Sequence, residues 1–242
     1  MISLIKILTS LSLIFLISLN AQERVIKKET QTSYLQDEKR KLIAEGSEIV
    51  KLYNEKGKVI EESNKRFWEQ VQKTIVYIRK YYYNDNNLLD SSVLFEGEKN
   101  VLKLAYFYDS TGLTSGAVEI LPSGAESFKT QYFYNNEKKL IRENLFNPGG
   151  QLYTEKEYKY DRKNNLIEEK GKEQGSLKYR WVYKYDKKKF LIERKDFDGT
   201  DKLIRLHSYE NNKEGRPLTE TEISYGLNGN VVRVVKYSYE YF

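Results

Sequence analysis

A Tyr-x-Tyr motif returns along this chain in phase, and nothing else in the sequence restricts the fold so strongly. Aligned on its second tyrosine, the motif stands at Tyr83, Tyr108, Tyr134, Tyr160 and Tyr185, in steps of about 25 residues. Tyr53, Tyr209 and Tyr239 extend the series, with His207 in place of the first tyrosine before Tyr209, and Tyr34 continues it more weakly. Directly after each anchor comes Asn54, Asn84, Asp109, Asn135, Asp161 or Asp186. Such side chains start turns because they accept backbone N–H groups a few residues on. Four residues past the anchors stand Gly57, Asn87, Gly112, Lys138, Asn164 and Lys189, mostly residues that tolerate a left-handed backbone. An apolar pair follows, as at Val59-Ile60, Leu140-Ile141, Leu166-Ile167 and Leu191-Ile192. Strand, tight turn, strand is a β-hairpin.

A second set of turns separates the hairpins. It is marked by Gly97, Gly124, Gly149, Gly175, Gly199 and Gly229, in company such as Pro148-Gly149-Gly150 and Asp198-Gly199. No segment holds a helical period, and Gln36 to Glu45 reads as a degenerate hairpin ending in Leu42-Ile43. The expected fold class is all-β: one antiparallel meander of repeated hairpins, roughly 16–18 strands in units of about 25 residues. Alternation puts Trp181, Tyr183 and Tyr185 on one face of a strand, with Arg180, Val182 and Lys184 on the other. Tyr132 and Tyr134, and Tyr158 and Tyr160, repeat this arrangement. A tyrosine-rich face without helices to cover it must curl on itself, so a spiral or a flattened barrel is expected, tyrosines inside and Lys/Glu outside.

The first residues have a different character. Lys6, an apolar run from Ile7 to Leu19 and then Ala21 read as a secretory signal over residues 1–21, leaving 22–242 as the repeat domain. The run is too short for a comfortable helical span. Without cysteine there is no disulfide, so an exported chain of this kind is held by its sheet alone. The formal charge of +6 comes from 41 basic and 35 acidic residues mixed along the chain, which describes a solvated surface. A nucleic-acid surface would need a basic stripe, and Lys187-Lys188-Lys189 is a short cluster and no stripe, so no nucleic-acid partner is expected.

The stretches "YDRKNNLIE", "YDKKKFLIE", "YNEKGKVIE" and "YDSTGLT" resemble the YD repeats of Rhs-type proteins and related toxin cocoons, with the likeness covering most of residues 34–239. The resemblance implies a β-hairpin repeat fold and an accessory role beside a toxin or secretion system.

Reactive constellations are scarce. With no cysteine and His207 the sole histidine, the usual His/Cys zinc site and a cysteine nucleophile are unavailable. A Ser-His-Asp arrangement would have to use His207, which reads instead as a strand residue in a tyrosine's place. Glu126, in the longer "LPSGAESF" turn, is the acidic residue that departs most from the repeat, but a glycosidase needs a second carboxylate beside it. "FNPGGQLY" is a glycine-rich hairpin loop with no helix to receive phosphate. "DFDGTDKL" gathers Asp196, Asp198 and Asp201 around Gly199 but lacks the rest of a calcium loop.

The expectation is therefore a non-enzymatic, exported repeat protein without cofactor or metal. It would act as an interaction scaffold in the periplasm, on the outer surface or outside the cell, with no membrane span once the signal is removed. Its partner would be a protein or cell-wall glycan. For glycan, the candidate surface is an exposed aromatic row of Tyr132, Tyr134, Tyr158, Tyr160, Trp181, Tyr183 and Tyr185.

Overall fold

A computed structural model describes residues 25–68, 72–226 and 229–242. The signal segment expected over residues 1–21 lies outside the described residues.

Sixteen strands follow one another around a closed ring. They are β1 (Ile26–Gln36), β2 (Leu42–Tyr53), β3 (Val59–Trp68), β4 (Lys73–Tyr83), β5 (Leu89–Glu96), β6 (Lys99–Tyr108), β7 (Thr114–Ile120) and β8 (Glu126–Tyr134). The second half comprises β9 (Leu140–Phe146), β10 (Leu152–Tyr160), β11 (Leu166–Glu173), β12 (Ser176–Tyr185), β13 (Leu191–Asp198), β14 (Leu203–Asn211), β15 (Pro217–Gly226) and β16 (Gly229–Tyr241). Each strand pairs antiparallel with its sequence neighbours, and β1 pairs with β16, from Lys28 opposite Glu240 to Gln36 opposite Val232. The sheet therefore closes as a barrel and is not a spiral. Closure leaves no free edge for another chain to join. Following paired residues around the ring returns to β1 displaced by about 16 residues, so shear and strand number are similar; a circular barrel of this kind has a backbone radius of about 15 Å and a strand tilt near ~36°.

The turns at the tyrosine rim share one construction. In the β10–β11 turn the Asp161 carboxylate accepts the Lys163 and Asn165 N–H groups at 2.8 and 2.9 Å, and Asn164 N–H donates to the Asp161 carbonyl at 3.0 Å. Asn164 then takes φ 66°, and Lys138 and Lys189 hold φ 60° and 68° at the matching places without being glycine. The opposite rim departs from the expected glycines in two turns. The left-handed residue after Asn147 is Gly150 instead of Gly149, and after Asp198 it is Asp201. Gly199 serves close approach instead, since a Cβ there would lie 2.3 Å from the Leu177 carbonyl oxygen.

Each odd strand from β3 to β15 begins with a bulge at the tyrosine rim; in β11, Tyr160 pairs with Leu166 and Lys159 with Glu168, which skips Ile167. The bulge frees the Leu166 carbonyl from the ladder. The Tyr185 hydroxyl donates to it at 2.9 Å. The same bond recurs from Tyr83 to Val59, Tyr108 to Leu89, Tyr134 to Thr114, Tyr160 to Leu140 and Tyr239 to Pro217. On β14 the Asn211 amide does this work for Leu191 at 2.7 Å. The bulge also separates the apolar pair. Leu166 is 2% exposed inside, whereas Ile167 lies on the surface.

Candidate functional site: the inner wall

Pairing across the ladder keeps facing residues on one side of the sheet, so the inward set can be read from the registers. The fourth residue of each odd strand from β3 on points inward: Glu62, Ser92, Ala117, Glu143, Glu169, Arg194 and Glu220. Opposite the last six stand Tyr81, Tyr106, Tyr132, Tyr158, Tyr183 and Tyr209, the first tyrosines of their motifs or their equivalents. The inner wall is thus a belt of phenols that faces carboxylates at Glu143, Glu169 and Glu220 and Ser92, Ala117 and Arg194 elsewhere, and charge is not confined to the outer face as expected.

Tyr158 hydroxyl donates to Glu143 at 2.8 Å and Tyr179 hydroxyl to Glu169 at 2.7 Å, with Tyr183 3.4 Å from the other Glu169 oxygen. Tyr237 and Tyr209 reach Glu220 at 2.8 and 3.3 Å. Tyr53 meets Glu29 at 3.0 Å. Burial, and then the neighbouring carboxylates, push the phenols of Tyr158, Tyr179 and Tyr237 far above their ordinary range, so they remain neutral donors. Burial also raises the Glu169 carboxyl, despite its tyrosine donors and Lys156. Tyr179 lies flat over Gly171, where a Cβ would meet its ring at 2.0 Å, and stacks on Trp181 with centroids 4.7 Å apart.

The most highly charged part of the wall lies on β13, β14 and β15. His207 is 2% exposed and Asp196 1%. His207 Nδ1 is 2.8 Å from Glu220, and Nε2 is 3.1 Å from Asp196 Oδ2 and 2.8 Å from Arg194 Nη2. Arg194 Nε donates to Asp196 at 2.8 Å. Burial alone would raise both carboxyls, but the His207 and Arg194 contacts outweigh it and hold Asp196 and Glu220 below the usual carboxylate range. Beside this cluster Arg233 joins Glu222 at 2.9 Å to Glu45 at 2.8 Å, tying β15 and β16 to β2 across the closing seam.

Of the aromatic row expected as an outward platform, none is exposed. Tyr158 is buried, and Tyr132, Tyr134, Tyr160, Trp181, Tyr183 and Tyr185 are half-buried on the inner wall. This corrects the exposed-row reading: the face that carries the tyrosines is the concave one, and closure of the ring encloses it. The three aspartates around Gly199 also separate. Asp196 joins His207, Asp198 accepts the Thr200 and Lys202 N–H groups of its own turn, and Asp201 pairs with Arg180 at 2.6 Å. Glu126 is exposed and paired with Lys129 at 2.8 Å. Asn147 of "FNPGGQLY" closes a turn by accepting Gln151 N–H at 2.9 Å. His207 does not occupy a tyrosine's place on its strand: Asn211 takes the anchor position and Tyr209 that of the first tyrosine, so His207 stands where Trp181 stands on β12, with its nitrogens engaged by Glu220, Asp196 and Arg194.

Sequence reasoning passed over Glu143, Glu169, Arg194 and Glu220. Their signal was present as a fixed offset from the apolar residue that restarts each strand. The outer wall carries a different chemistry: Lys159–Glu168 at 2.8 Å, Lys172 between Glu155 at 3.0 Å and Glu157 at 2.9 Å, and Lys28–Glu240 at 3.0 Å. Arg142 lies 4.3 Å over the Phe133 ring and Arg180 4.1 Å over Phe197.

The barrel is similar to the crystal structure of a porin-like protein from Bacteroides uniformis, with a TM-score of 0.64 at 12% identity over 89% of this chain and 98% of that one. A Photorhabdus luminescens Tc holotoxin pore aligns with 83% of this chain and 13% of its own at 13% identity and a TM-score of 0.34. A DUF1329 family protein from Desulfovibrio piger aligns at 9% identity over 89% and 86%, with a TM-score of 0.30. The first likeness shows a shared fold, and the other two fall below that level. No curated protein matches the chain. Residues 63–222 match a family described as "Uncharacterised protein", and the chain belongs to that family.

Proposed function

We propose that this is an exported, non-enzymatic barrel that works in water, in the cell envelope or outside the cell, as a scaffold for a protein partner. The observation that carries the reading is the outer wall. On β10 to β13 its mid-strand positions are Glu155, Glu157, Glu168, Lys170, Arg180, Val182, Glu193 and Lys195, and all but the valine are joined in ion pairs. A lipid-facing barrel wall is apolar at this height, and each Lys or Arg at a bilayer midplane costs about 2–4 kcal/mol. The fold of a porin-like protein is here combined with a surface suited to water. The repeat-derived scaffold and the toxin- or secretion-system association implied by the YD-like motifs belong to the same proposal.

The test is to express the chain without residues 1–21 and without detergent, then offer it both liposomes and solubilised envelope proteins. A soluble, folded monomer or oligomer that leaves liposomes intact and retains one defined envelope protein supports the reading. Folding only in detergent, or conductance across a bilayer, refutes it. Retention on cell-wall glycan alone would replace the protein partner with a carbohydrate.

A further inference from the structure

His207 sits where two bonding schemes fit the same atoms. With both nitrogens protonated, the ring donates to Glu220 through Nδ1 at 2.8 Å and to Asp196 through Nε2 at 3.1 Å. With Nε2 unprotonated, the ring still donates to Glu220, and Nε2 accepts an N–H from Arg194 Nη2 at 2.8 Å. We propose that the proton on His207 Nε2 is a pH-operated switch in the barrel wall, exchanging Asp196 for Arg194 as the partner of the imidazole.

The surroundings allow both settings. From β13 the ring meets Arg194 and Asp196, and from β15 Glu220 and, directly across the ladder, Glu222. Its own strand supplies Arg205, 3.9 Å from Asp196, and Tyr209, which donates to Glu220. From β16, Tyr237 donates to Glu220 and Arg233 pairs with Glu222. Tyr183 of β12 faces Arg194. In the protonated setting Arg194 and His207 balance Asp196 and Glu220. In the neutral setting the four groups hold one excess negative charge, and Asp196 loses a donor while 1% exposed. That is a change of net charge in a water-poor wall, where it weighs more than at a surface. Arg194 keeps its Nε bond to Asp196 in both settings, so only Nη2 changes its commitment. The exchange ties three neighbouring strands to the pH of a compartment outside the cytoplasm, where pH varies with the medium.

The experiment uses the sole histidine of the chain. Long-range 1H–15N correlation spectra of the uniformly 15N-labelled protein between pH 5 and 9 report both ring nitrogens without assignment. The expected result is an imidazolium at low pH that titrates above the ordinary histidine value to a neutral ring protonated on Nδ1. Free histidine prefers the opposite tautomer, so the neutral form is diagnostic. In Arg194→Gln the Nε2 acceptor loses its cationic donor, and the neutral ring is expected to become a mixture of tautomers. A neutral wild-type ring protonated on Nε2, or a ring in a single protonation state from pH 5 to 9, overturns the proposal.

Discussion

Tyr185→Phe isolates the hydroxyl ladder that fastens each bulge. The substitution removes one oxygen and leaves the ring. The lost bond is the 2.9 Å contact to the Leu166 carbonyl, which the bulge has already freed from the ladder. Leu166 itself is 2% exposed, so water has little access to repair the loss. A buried acceptor left without a donor costs about 1–3 kcal/mol, and the expected destabilisation is about 1.5 kcal/mol. With a urea dependence of about 3 kcal/mol per molar, the unfolding midpoint falls by about 0.5 M at unchanged slope. Tyr82→Phe is the control, because Tyr82 is 46% exposed on the outer wall and its change should stay within about 0.5 kcal/mol of wild type. Equal midpoints for the two variants would refute the idea that the tyrosine hydroxyls secure the bulges. Asn211→Tyr is a further probe: Asn211 already bonds the Leu191 carbonyl, so the tyrosine should be tolerated only if the longer side chain finds the same acceptor.

Three other outcomes are expected. His207 titrates upward because its bonds to Asp196 and Glu220 outweigh its burial. Its stabilising share is therefore complete below the unfolded value of about 6.5 and is lost as pH rises through the folded value, so unfolding midpoints should fall on the alkaline side in wild type but not in His207→Ala. Glu169→Gln retains an acceptor oxygen for the nearer Tyr179 hydroxyl, offers an N–H that the Tyr183 hydroxyl oxygen can accept, and removes a charge that burial disfavours; it should raise stability at pH 7, and a lower unfolding midpoint would contradict this. Gly171→Ala forces the Tyr179 ring aside and should cost about 1–3 kcal/mol in a thermal melt, whereas in a Tyr179→Ala background the same change should be nearly neutral.

Local chemistry accounts for what the sequence revealed. Asp161 and its equivalents bend the chain through their own side chains, Asn164 and Gly57 accept a left-handed backbone, and alternation sorts Tyr183 from Lys184 whatever lies beyond the strand. Each of these is decided within a few residues, so strands, turns and faces could be read along the chain. Closure could not. Whether sixteen strands form a ring or a spiral depends on Ile26–Gln36 finding Gly229–Tyr241, at opposite ends of the sequence. The Arg233–Glu45 pair spans 188 residues and exists only because that seam forms. The same holds for His207. The sequence pattern put it in a tyrosine's place, but the register of β14 against β15 makes Asn211 the anchor, and the two ladders, fixed when the strands pair around the ring, set His207 between Asp196 and Glu220. Closure also turned the tyrosine face into an inner wall, because a ring has one concave side, and the phenols that donate to bulge carbonyls and half-buried carboxylates occupy it while the Lys–Glu pairs keep the convex side in water.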